Sequence, residues 1–154
     1  MAIPSRYCAT RRAGYLERVS GKARADHRHT VLLVEDDYDT REAFKAVGEV
    51  ARVDVVDVPN GRAALERLRD GPRPCLIVLD IAMPEMDGFA FRRIQLADPL
   101  LADVPVVVTS GAGWAVEREA RALGIKSFLR KPVEVDELIA LFHDHCGGDR
   151  PSER

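Results

Sequence analysis

The sequence predicts an α/β fold with a parallel sheet and helices on both of its faces. Three observations carry this expectation. Short apolar runs recur at TVLLV (30–34), CLIVL (75–79) and VVV (106–108). Each run stops at a polar cluster, and a segment with helical spacing follows. Strand and helix patterns alternate five times, and that alternation implies parallel pairing through right-handed crossovers.

The elements follow in chain order. Thr30 to Val34 reads as a buried strand ending in three acids, Glu35, Asp36 and Asp37. A helix is expected from about Asp39 to Ala51, with Phe44, Val47 and Ala51 at helical spacing. Val53 to Val58 is β-branched and imperfectly alternating, which fits a strand. Pro59-Asn60-Gly61 is a turn, and Arg62 to Arg69 is a helix with Ala64, Leu65 and Leu68 on one face. Gly71-Pro72 ends it. Cys75 to Leu79 is the third strand, with Asp80 directly after it. Pro84 and Asp87-Gly88 shape a tight loop. Phe89 to Leu96 is a helix with Phe89, Ile94 and Leu96 among its apolar residues. Val106 to Val108 is the fourth strand, ending in Thr109-Ser110-Gly111. Trp114 to Leu123 is a helix closed by Gly124. Ser127 to Leu129 is a short fifth strand, terminated by Arg130-Lys131-Pro132. Val133 to about His145 is the last helix, with acids in its first turn and histidines in its last, as the helix dipole favours. The expected strand order is 2-1-3-4-5, a flavodoxin-like doubly wound sheet.

Length and composition fit one domain with tails: residues 30–146 form the domain, 1–29 an extension and 147–154 a tail. The chain of 154 residues is 46% hydrophobic and 31% charged. Its net charge of −2 hides an asymmetry. Residues 1–29 hold seven Lys/Arg against two Asp/Glu, so the extension is basic and the domain acidic. The extension lacks periodicity and is expected to be disordered. It is either a loose tail or a basic arm for an acidic partner. His27 and His29 lie there without a third ligand in view. The three cysteines, Cys8, Cys75 and Cys146, show no metal-type spacing, and an odd count argues against a disulfide framework. Cys75 falls in an expected buried strand, where a thiol behaves as a small hydrophobe. No apolar run reaches the roughly 20 residues of a membrane span, so no membrane partner is expected and a cytoplasmic location is.

Polar groups gather where the strands end. Glu35 and Asp36 follow strand one, Asp80 strand three, Ser110 strand four and Lys131 strand five. In an open parallel sheet these ends share the edge at which ligands bind. The acids after strand one have two readings, as caps of the next helix or as cation ligands. Clustered carboxylates raise each other's pKa, and a Mg²⁺ ion relieves that repulsion. A carboxylate, a metal, a lysine and a hydroxyl are the parts that phosphoryl transfer needs.

The motifs VLLVEDD, LIVLDIAMPEMDG, VPVVVTSG and FLRKP, in that order, resemble the receiver domain of two-component response regulators. The resemblance covers Thr30 to about Phe142. It implies that Glu35, Asp36, Asp80 and the backbone carbonyl of Ala82 hold Mg²⁺. It implies that Asp80 accepts a phosphoryl group, assisted by Ser110 and Lys131. It implies a cis bond before Pro132, and a switch in which Ser110 and an aromatic on strand five, here Phe128, change position. Phe128 stands where tyrosine is commoner. The implied partners are a sensor histidine kinase or phosphotransfer protein, and a target protein on the face of the fourth helix, fifth strand and fifth helix. A nucleic-acid partner is not implied. No output domain follows the receiver stretch, which fits a single-domain regulator. Such a protein is a phosphoacceptor that assists its own phosphorylation and dephosphorylation, rather than a general enzyme. Two other readings are a phosphorylation-independent adaptor with a vestigial site and a metal-dependent phosphohydrolase. The second would need another acid near Asp80, where Ala82 stands two residues on.

Overall fold

The computed structural model describes residues 29–146. The expectations for residues 1–28 and for the tail lie outside them. Five strands alternate with five helices: β1 (His29–Val34), α1 (Tyr38–Ala51), β2 (Val53–Val58), α2 (Gly61–Asp70), β3 (Leu76–Asp80), α3 (Gly88–Ala97), β4 (Val106–Ser110), α4 (Trp114–Ala122), β5 (Ser127–Arg130) and α5 (Val135–Cys146). All strand pairs are parallel, in the order β2-β1-β3-β4-β5. The fold class and strand order are those the sequence predicts.

Burial explains why the inner strands are continuous apolar runs. Helices cover both faces of a doubly wound sheet, so neither side of β3, or of β1 beyond its first two residues, meets water. Val31 to Val34 and Leu76 to Leu79 are all buried. Alternate residues feed two cores. Leu32, Val34, Ile77, Leu79 and Val108 pack with α2, α3 and α4 residues such as Leu65, Phe91 and Ala120. Val31, Leu33, Leu76, Val78 and Val107 pack with Phe44 of α1 and Leu138 and Phe142 of α5.

Each helix boundary has a local cause. Asp37 caps α1 by accepting from Thr40 N at 2.7 Å. Asn60 caps α2 through Ala63 N at 2.9 Å, and Asp87 caps α3 through Ala90 N at 2.8 Å. Helix α4 ends in paired bonds, Gly124 N to Arg121 O and Ile125 N to Ala120 O, both 3.0 Å. Gly124 has φ +75°, the left-handed conformation this ending requires. Gly48 lets α1 lie close on β2, since a Cβ there would sit 2.8 Å from Val53 O.

Several expectations need correction. Asp80 and Ser110 are the last residues of their strands rather than the first after them. Cys75 precedes β3 and is partly exposed, not buried within it. Helix α5 starts at Val135, two residues later than its apolar pattern suggests, because Glu134 O accepts its first bond, from Leu138 N. Of the apolar residues of α3, Phe89 is buried. Ile94 and Leu96 are exposed, while Arg92 and Gln95 are buried. Gln95 Nε2 donates to Leu101 O and Val104 O, and its Oε1 accepts from Arg92 Nη1 at 2.8 Å. Arg92 Nε donates to Leu123 O at the end of α4. Buried carbonyls of a tight loop and a helix end need donors, and these two side chains supply them.

Candidate functional site

Parallel pairing delivers the carboxyl ends of β1, β3, β4 and β5 to one edge. Residues two apart on a strand share a face, so Asp80 continues the side of Leu76 and Val78. Carboxylate oxygens of Glu35, Asp36 and Asp80 lie within 4.8 Å of one another. Glu35 is 1% and Asp80 3% exposed, whereas Asp36 faces solvent. Lys131 Nζ reaches both buried acids, at 3.0 Å from Glu35 Oε2 and 3.3 Å from Asp80 Oδ2. Ala82 N donates to Asp80 Oδ1 at 3.2 Å. The Lys131–Pro132 peptide is cis.

The three acids after β1 divide the two readings between them. Asp37 is the helix cap, and Glu35 and Asp36 join Asp80. Glu35 Oε1 also accepts from Asp37 N at 3.1 Å.

Electrostatics follow from burial. Desolvation pushes the Glu35 carboxyl above the ordinary range and nearby Asp80 adds to it, although the Asp37 N–H and Lys131 oppose this. Burial by itself would push Lys131 down. Its bond to Glu35 and the charges of Asp80 and Glu35 outweigh that, so its pKa is raised and it stays an ammonium.

Ser110 lies one residue beyond Thr109, which pairs with Asp80 across β3 and β4. Its hydroxyl accepts from Ala112 N at 3.0 Å, within its own loop. Thr109 Oγ1 is buried and has no hydrogen-bond partner among the described residues. Phe128 is half-buried on the α4 side, with the Arg121 guanidinium 4.9 Å over its ring.

Arg41 supports the site although no sequence pattern singles it out, while Gly88 does so within the tight loop expected at Asp87-Gly88. Arg41 of α1 donates to the Glu35 and Asp36 carbonyls at 3.0 and 2.9 Å, and to Asp57 Oδ2 at 3.0 Å. It therefore ties the acidic loop to β2. Only its position one turn into the helix, facing an acid on the edge strand, signalled this. Gly88 packs so closely that a Cβ would sit 2.6 Å from Asp80 O. Its N–H donates to Ile81 O, folding the loop back over the strand end.

The residues fit a divalent cation by their chemistry. Hard carboxylate oxygens converge from two strand ends, two of them buried beside one ammonium, and such oxygens suit Mg²⁺. Comparison with known proteins supplies the family. The family model for the response regulator receiver domain matches residues 31–143. The chain belongs to this family. The receiver is 36% identical over 112 residues to the transcriptional regulatory protein CrdR of Helicobacter pylori, covering 71% of this chain and 51% of CrdR. It is 29% identical over 119 residues to the polar-differentiation response regulator DivK of Brucella anthropi, covering 77% and 96%. Among solved structures it resembles a response regulator receiver protein from Pseudomonas putida, with a TM-score of 0.70, 28% identity and coverage of 76% and 97%. It is thus a response regulator receiver of two-component signalling. No helix of the described residues is long and apolar enough to cross a membrane.

Proposed function

We propose that this receiver accepts a phosphoryl group on the Asp80 carboxylate from a phosphohistidine of a kinase or phosphotransfer protein. The observation that carries the reading is Lys131 bridging Glu35 and Asp80 beside a convergent third acid. An Asp80 oxygen attacks phosphorus while the bond from phosphorus to the imidazole nitrogen breaks. The nitrogen keeps that electron pair and the product is an acyl phosphate. Glu35, Asp36, Asp80 and the Ala82 carbonyl would hold Mg²⁺, which neutralises phosphoryl charge when bound. Lys131 holds a fixed positive charge at the Asp80 oxygen. Ser110, one residue past the rung opposite Asp80, turns its hydroxyl from Ala112 N toward the new phosphoryl oxygens. Phe128 then repacks against α4, and the surface of α4, β5 and α5 changes shape for a target protein.

Asp80→Asn should abolish labelling by acetyl phosphate in the presence of Mg²⁺, with the fold intact by circular dichroism. Full labelling of that variant would remove Asp80 from the mechanism. Beryllofluoride separates this reading from a phosphorylation-independent adaptor. A Mg²⁺-dependent spectral change on its addition supports the acceptor, and an unchanged spectrum supports the adaptor.

A further inference from the structure

The opposite edge of the sheet holds a second group of reactive side chains. Cys75 stands immediately before β3, with its N–H bonded to Thr30 O at 2.8 Å. His29 opens β1, and its Nδ1 lies 3.3 Å from Cys75 Sγ. Cys146 closes α5, is 2% exposed and belongs to the buried α1 and α5 core cluster against which Cys75 packs. Both thiols are free. Three elements distant in sequence thus converge on two sulfurs and an imidazole.

The contacts give the two thiols different characters. The neighbouring Cys146 thiol, followed by His29, holds Cys75 down at about 5 against the opposing effect of burial. Cys146 is pushed up, first by Cys75 and then by its own burial. A partly exposed thiolate beside a buried thiol is the division of labour that a reactive and a resolving cysteine require.

We propose that Cys75 and Cys146 form a reversible intramolecular disulfide in response to hydroperoxides, with His29 positioning and activating the Cys75 sulfur. The Cys75 thiolate attacks the distal peroxide oxygen and the O–O bond breaks. The leaving alkoxide or hydroxide takes a proton, and Cys75 becomes a sulfenic acid. The Cys146 sulfur then attacks the Cys75 sulfur. The S–O bond breaks, and hydroxide leaves with the Cys146 proton as water. In total two thiols lose two electrons, and one hydroperoxide gains them. A later dithiol reverses the change by exchange. The new bond would fasten the end of α5 to the start of β3, at the far end of the strand that carries Asp80. None of this depends on phosphoryl chemistry at Asp80.

The test uses the full chain carrying Cys8→Ser, so that only these two thiols remain. Equimolar hydrogen peroxide should remove two hydrogens from the intact mass. It should also yield a cross-linked peptide pair containing Cys75 and Cys146, and dithiothreitol should restore both thiols. With Cys146→Ser added, oxidation should stop at a Cys75 sulfenic acid that dimedone traps. His29→Asn should slow the reaction several-fold at pH 7. The thermal midpoint should rise on oxidation only when both cysteines are present. Thiols left unmodified, overoxidised without a cross-link, or joined only between molecules would overturn the proposal.

Discussion

Glu35 carries a cost that a bound cation would remove. Its folded-state pKa is raised, mainly by desolvation. A raised pKa means the folded state holds its proton more tightly than the unfolded chain does. The associated stability is present below the unfolded value, about 4.3, and is lost as pH rises through the higher folded value. Urea unfolding without divalent cations should therefore show wild type losing stability relative to Glu35→Gln as pH rises across that window. Added Mg²⁺ should shrink the difference by favouring the ionised carboxylate. Parallel pH curves for the two proteins would contradict this account. Lys131 does not interfere, because its raised pKa keeps it charged until well above that range. At this scale the charged and hydroxylic residues were legible, since each lies within two residues of the end of an apolar run. Arg41 was not, because its role is contact with backbone carbonyls that no local pattern encodes. Gly88 was expected as a turn residue, but not its close approach to Asp80 O. Cys75 misled for a related reason. Its apolar neighbours suggested burial, but it lies just outside the ladder and meets His29.

At the scale of elements, side-chain caps mark where α1, α2 and α3 start, and Gly124 marks where α4 stops. Asn60 satisfies a free N–H of α2 through Ala63. Asn60→Ala should cost about 1 kcal/mol, read as a lower urea midpoint at unchanged slope. A change within error would mean that water replaces the cap at no cost. All ten elements were visible in the sequence because short apolar or β-branched runs bounded by turn residues alternate with runs of helical period. The inner face of α3 was not visible. Of the helix's apolar residues, Phe89 is buried but Ile94 and Leu96 are exposed, and tertiary demand for donors buries Arg92 and Gln95. The start of α5 slipped for a similar reason, since Val133 packs on the core without being helical.

For the whole molecule, the parallel sheet turns sequence order into a site. Four segments far apart along the chain end on one edge because every crossover returns the chain to the same side. That made the convergence of Glu35, Asp80 and Lys131 foreseeable from topology alone, while the orientation of the Ser110 hydroxyl toward Ala112 was not. The α1 and α5 core underpins this edge, and Phe142 is its largest fully buried side chain. Phe142→Ala should destabilise the domain by about 3–5 kcal/mol, measurable by denaturant unfolding. A loss under 1 kcal/mol would mean that α5 contributes little to holding the sheet. The Arg92 bond to Leu123 has a mechanical consequence. It moors the last turn of α4, while the first turn begins at Gly113 without a side-chain cap and with Trp114 72% exposed. Near that first turn the exposed Arg130–Glu117 pair and the packing of Val116 hold the helix, and a rod held more firmly at one end swings rather than slides. Backbone order parameters from NMR relaxation should decline from Leu123 back to Trp114, so that a small push near Ser110 becomes a wide sweep of the indole.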